Sequence, residues 1–205
     1  MKSTLKRCLV ATALLLACGP ALATEAGDWS FSLGAHVIDP KSDNGSLAGG
    51  ALAADVGSST RPTITAEYFF SPNLGLELLA SLPFDHDVSL NGVNAGSTKH
   101  LPPTLSLQYH FNGARVSPFV GAGVNYTLFF DTESEGPLAG ADLDLDNSWG
   151  LAAHVGVDFR LSDRSALRID ARWIDIDTDV SVDGAAVGTV NIDPLVYGVA
   201  YVRTF

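Results

Sequence analysis

The side chains able to do chemistry in this sequence are thinly spread. Five histidines, His36, His86, His100, His110 and His154, are possible metal ligands or proton carriers. No pair of them has zinc-site spacing along the chain. His86 lies between Asp85 and Asp87, a trio able to hold a cation weakly. A Ser/His/Asp hydrolase would need a nucleophile elbow to present its serine, and none is present. There is no glycine-rich phosphate motif either. The expectation is therefore no metal, no cofactor, no nucleotide and no enzymatic reaction. A second group has a different pattern: Glu67, Glu77, Gln108, His110, His154, Asp158, Arg168, Asp170 and Arg172. These residues carry both signs of charge and alternate with apolar neighbours. Carboxylates and guanidiniums placed so can pair inside a closed structure and shut it to water.

The elements that must position them are strands. Trp29, Phe31, Leu33, Ala35 and Val37 alternate with Ser30, Ser32, Gly34 and His36. Similar runs start at Pro62, Leu74, Pro103, Val120, Leu151, Leu167 and Leu195. Period-two alternation places one apolar and one mixed face on each run. The connections alternate too. Ser71-Pro72-Asn73, Asn112 to Ser117 and Ser162-Asp163-Arg164 are short, whereas 39–59, 84–101, 131–148 and 177–190 are long and rich in Gly, Ser, Asn and Asp. An even number of runs, with short turns at one end and long loops at the other, is the plan of an outer-membrane barrel, with periplasmic turns and extracellular loops. Both termini then fall on the periplasmic side. A soluble lipocalin-like barrel shares the alternation. It would put Gly34, Gly75, Gly121, Gly123, Gly150 and Gly156 on its water face, although these glycines suit a crowded interior. The apolar set is bulky, with aromatics near run ends, as a lipid face with interfacial girdles requires.

The start of the chain supports export. Lys2, Lys6 and Arg7 precede an apolar stretch, Leu9 to Ala17, and Ala21-Leu22-Ala23 offers a signal-peptidase site. Residues 1–23 are thus read as a removed leader and 24–205 as one barrel domain. Leu15-Leu16-Ala17-Cys18 is the rival reading, a lipoprotein box. Cleavage after Ala23 removes both cysteines, Cys8 and Cys18, and leaves no disulfide. All 23 acidic residues but only nine of the 12 basic ones follow residue 23, a net charge of −14. That disfavours nucleic acid as a partner, since phosphate contact needs basic patches. No later stretch approaches ~18 consecutive apolar residues, so helices do not cross a membrane here. A closed sheet is the other way to satisfy every backbone group in hydrocarbon. The C-terminal Phe205 fits the terminal aromatic by which barrel precursors are recognised for assembly.

Short motifs point the same way. Glu25-Ala26-Gly27-Asp28, Gly75-Leu76-Glu77-Leu78-Leu79-Ala80, His100-Leu101-Pro102-Pro103-Thr104, Pro118-Phe119-Val120-Gly121-Ala122-Gly123, Asp146-Asn147-Ser148-Trp149-Gly150 and Trp173-Ile174-Asp175-Ile176-Asp177-Thr178 occur in order. In these the chain closely resembles the OmpW family of outer-membrane proteins. The resemblance implies an eight-stranded barrel that passes small hydrophobic compounds and opens laterally into the membrane. Its implied partners are outer-membrane lipids, lipopolysaccharide, the barrel assembly machinery and small hydrophobic solutes. It also implies that Leu79 and Trp149 constrict an apolar channel. Phase puts Leu79 inside. Strict alternation puts Trp149 outside, and only a bulge would turn it inward. Leu47, Leu52, Val56 and Leu138 are apolar loop residues, read as a solute-attracting mouth or as loop packing. Two alternatives stand beside hydrophobic uptake: a closed structural or surface-interaction barrel, and a channel for small polar solutes such as amino acids.

Overall fold

Alternation becomes strand along nearly the whole chain. The computed structural model describes residues 24–113 and 115–205, so the segment read as a leader, residues 1–23, and both cysteines in it lie outside the described residues. The strands are β1 (Trp29–Asp39), β2 (Ser46–Leu47), β3 (Leu52–Val56), β4 (Ser59–Ser71), β5 (Leu74–Ser81), β6 (Phe84–Leu90), β7 (Val93–Leu101), β8 (Thr104–His110), β9 (Val116–Ser134), β10 (Leu143–Leu145), β11 (Ser148–Ser162), β12 (Ser165–Ile174), β13 (Asp177–Val182), β14 (Ala185–Asn191) and β15 (Leu195–Thr204).

Eight of them close an antiparallel barrel in the order β1, β4, β5, β8, β9, β11, β12, β15, with β15 returning to β1. Closure removes the free edges, so the backbone needs no water. Three short turns and the chain terminus mark one end, here the turn end. The staves connect at the other end through the long segments, here the loop end.

Those long segments, read as loops from their Gly, Ser, Asn and Asp content, are largely strand. β9 has 19 residues, about twice the ~9–11 that cross a bilayer, and its upper part is the base on which they build. β7 pairs with β9, β6 with β7 and β3 with β6; β13 pairs with β10 and β14. The physical reason lies in two hairpin turns. Asn91-Gly92 and Asp183-Gly184 have φ values of 51°, 77°, 50° and 76°. Positive φ at both central residues gives the turn whose twist matches paired strands.

Large apolar side chains cover the outside of the barrel. Leu33, Ile64, Leu78, Leu107, Val124, Leu151, Val155, Ile169 and Val199 are all exposed. An apolar surface that encircles a molecule does not face water. Aromatics bound this band. Trp29 packs against Tyr68 near the turn end, ring centroids 5.1 Å apart, and Tyr126 against Trp149 near the loop end at 4.5 Å.

Candidate functional site

The lower interior is a plug of paired charge. Glu77, on β5, accepts from Arg168 Nη1 at 2.9 Å and from Arg172 Nη1 at 2.8 Å. Arg168 donates from Nε and Nη2 to both oxygens of Asp158, at 2.8 and 2.9 Å. Arg172 Nε donates to Asp170 at 2.8 Å. Glu67 accepts from Gln108 Nε2 at 3.0 Å and contacts His110 Nε2 at 2.8 Å, while Gln108 Oε1 meets His154 Nε2 at 2.8 Å. The Arg168 guanidinium also lies 4.3 Å from the centroid of the Phe119 ring. All of these side chains are buried. Salt-bridged, hydrogen-bonded charges fill the interior of so narrow a barrel.

Every polar residue of the second sequence group is in this plug or touching it. His36 belongs to it as well, with Nε2 3.2 Å from Asp170 and Nδ1 2.6 Å from Thr63 Oγ1. Sequence reasoning treated His36 only as a metal candidate, although its phase in β1 is inward. Glycines make the space. A Cβ on Gly121 would overlap the His154 ring, and one on Gly198 the His36 ring. A glycine facing a large polar side chain across an inner face was the available signal.

Above the plug the lining becomes apolar. Ile38, Ala152, Ile174, Ile176, Ile192 and Val196 are buried in one cluster. They lead to a narrow cavity of about 40 Å³ among the loop-end strands. Leu47, Val56, Leu90, Leu138, Val180 and Val190 line it, with His86 and His100. Leu47, Val56 and Leu138 therefore face the cavity, while Leu52 packs against the cluster. Burial lowers the pKa of His86, and lowers that of His100 well below the ordinary imidazole range, with repulsion from His86 adding to the second. Both are neutral at pH 7.

The wall beside this cavity is interrupted. β5 pairs with β8 only as far as Leu79 opposite Thr104, and pairing between β6 and β7 begins at Phe84 opposite His100. Residues 80–83 and 101–103 exchange no ladder bonds. Pro83, Pro102 and Pro103 have no N–H to give. The carbonyls of Pro102 and Pro103 instead accept from Asn125 Nδ2 at 3.1 and 3.2 Å. Ser81 Oγ is buried at this break without a partner among the described residues. Leu79, 5% exposed, points inward at the last rung.

Two candidate roles weighed in the sequence are not built in the fold. Trp149 does not line the interior. It is 72% exposed on the outer face, because β11 keeps strict alternation past it and shifts register only between Arg160 and Ser162. Nor can His86 share an ion with Asp85 and Asp87, since alternation turns His86 inward and its neighbours away. The one group of carboxylates close enough to share a cation, among the described residues, is Asp175, Asp177 and Asp193 at the loop end. Lys41 Nζ already lies 2.7 Å from Asp193. Burial, then Asp193 and Asp175, raises the pKa of Asp177.

An antiparallel eight-stranded barrel, apolar outside and charge-plugged inside, defines the class of outer-membrane β-barrel proteins. The chain belongs to the OmpW family, whose model matches residues 25–205. It is 36% identical over 214 residues to outer membrane protein W of Vibrio cholerae serotype O1, covering 98% of each chain. The crystal structure of the outer membrane protein OprG from Pseudomonas aeruginosa is similar with a TM-score of 0.79 and 32% identity, over 91% of this chain and 99% of that one. A more distant relative, at 28% identity over 161 residues and 75% of each chain, is the dibenzothiophene metabolism operon protein PahQ of Pseudomonas aeruginosa.

Proposed function

We propose that this barrel is a passive conduit by which small hydrophobic molecules cross the outermost part of the cell envelope and leave sideways into the membrane. One observation carries the reading: an apolar cavity at the loop end stands directly over a sealed polar plug. A solute drawn into such a cavity has no path down the barrel axis. The break between β5 and β8 gives it a lateral one, past Leu79. In this reading the loop end faces outward among lipopolysaccharide and the turn end, with both termini, faces the periplasm. The leader is removed before assembly, and Phe205 serves the assembly machinery. The barrel performs no chemistry and uses no energy source. Dibenzothiophene, which gives one relative's operon its name, is an apolar aromatic of the expected solute class. The plug disfavours a hydrated lumen for amino acids.

The test is uptake of labelled n-octane by cells that carry or lack the protein. Leu79→Lys puts a charge in the proposed exit and should lower uptake several-fold. Trp149→Lys, on the outer rim where a charge costs little, should leave it unchanged. Equal uptake by cells with wild-type protein, with Leu79→Lys protein and with none would refute the proposal, provided heat-modifiable gel mobility shows the barrels assembled.

A further inference from the structure

We propose that the loop-end cavity prefers solutes carrying a hydroxyl head on an aliphatic chain, and that His86 and His100 read that head. The inference rests on the cavity being the solute's way in. The two imidazoles stack with centroids 4.7 Å apart and planes at 21°, each about 1% exposed. Phe84 and Phe129 both pack against His100 at 5.7 Å. Both histidines line the cavity among aliphatic side chains. Nε2 of His86 and both ring nitrogens of His100 have no hydrogen-bond partner among the described residues.

Unpartnered buried polar atoms raise the free energy of the protein and are few in native structures. If these two positions only filled space, phenylalanine would fill it without that cost. What the pair offers follows from its protonation. His86 Nδ1 contacts the Gly57 carbonyl, so Nδ1 carries the proton and donates there, and Nε2 is left as an acceptor. Neutral His100 adds one donor and one acceptor. A hydroxyl is a small group that both donates and accepts; the ring nitrogens are covered in the structure as it stands, so a solute must part the aliphatic lining to bring its hydroxyl to them. An alkane satisfies none of the three atoms. A ketone or ester, which only accepts, satisfies one.

The experiment compares binding of radiolabelled 1-octanol and n-octane to the full barrel in lipid nanodiscs, above nanodiscs without protein. His86→Phe with His100→Phe should lower octanol binding by about tenfold, the scale of one lost buried hydrogen bond, and leave octane binding the same or higher. His100→Gln, which keeps a donor and an acceptor, should retain most of the octanol preference that His100→Leu loses. These single variants carry the comparison if the double variant fails to assemble. If octane and octanol both bind and their ratio is unmoved by the variants, the inference is wrong while the cavity reading survives. If neither binds above protein-free nanodiscs, both are wrong.

Discussion

Glu77 holds the plug together, because among the described residues it alone touches both guanidiniums at hydrogen-bond distance. Glu77→Leu would leave Arg168 and Arg172 buried with too little negative charge. The expected loss is about 3–5 kcal/mol, the usual consequence of removing one partner from a buried pair, and urea unfolding from lipid vesicles would measure it. Gly121→Val should act through space instead. Its side chain would displace the His154 ring and destabilise the barrel by about 1–3 kcal/mol, the range for overpacking. Octane uptake by the molecules that still assemble should stay near normal, since the cavity lies above. At this scale much was legible in the sequence. Phase alone turns Glu67, Glu77, Arg168, Asp170 and Arg172 inward. Which of them pair was not legible, because partners such as Glu77 and Arg172 are 95 residues apart and meet only across the closed barrel.

The staves and the loop-end hairpins have different origins in the sequence. Each stave has a long apolar face that alternation reveals. β6, β7, β13 and β14 carry many polar residues, and the Asn91-Gly92 and Asp183-Gly184 pairs mark them as hairpins. The break beside Leu79 was harder still. Pro83, Pro102 and Pro103 are visible in the sequence, but only the register shows that they face one another across the same seam. Two predictions belong to these elements. Ser81→Trp would fill the break and should depress octane uptake while leaving octane bound in the cavity, which binding in nanodiscs would detect. The β6–β7 hairpin should also loosen in acid. His86 and His100 have lowered pKa values in the folded protein, and the unfolded hairpin takes up protons near the ordinary value of about 6.5. Stability is therefore full above that pH and falls as pH drops below it. Protection of the β6 and β7 amides, taken relative to the intrinsic exchange rate at each pH, should fall between pH 7.5 and pH 5.5.

Over the whole molecule the two ends differ in chemistry as well as in shape. The loop end carries acidic residues on nearly every connection, including Asp43, Asp55, Asp87, Glu133, Asp144 and Asp179, while Arg115, Arg160, Arg164 and Arg203 gather at the turn end. Between the ends, eight strands enclose an interior filled by side chains. Function therefore depends on where the filling changes from charged to apolar. In the proposed function that boundary defines the route, and it can be observed directly. With the protein in lipid bilayers and its Leu, Val and Ile methyls labelled, solid-state NMR can detect contacts from protonated n-octane. Contacts to Leu47, Val190, Ile192 and Leu79, with none to Val202 below the plug, are the predicted result. Contacts to Val202, or none in the loop-end cavity, would contradict a lateral route above a sealed barrel.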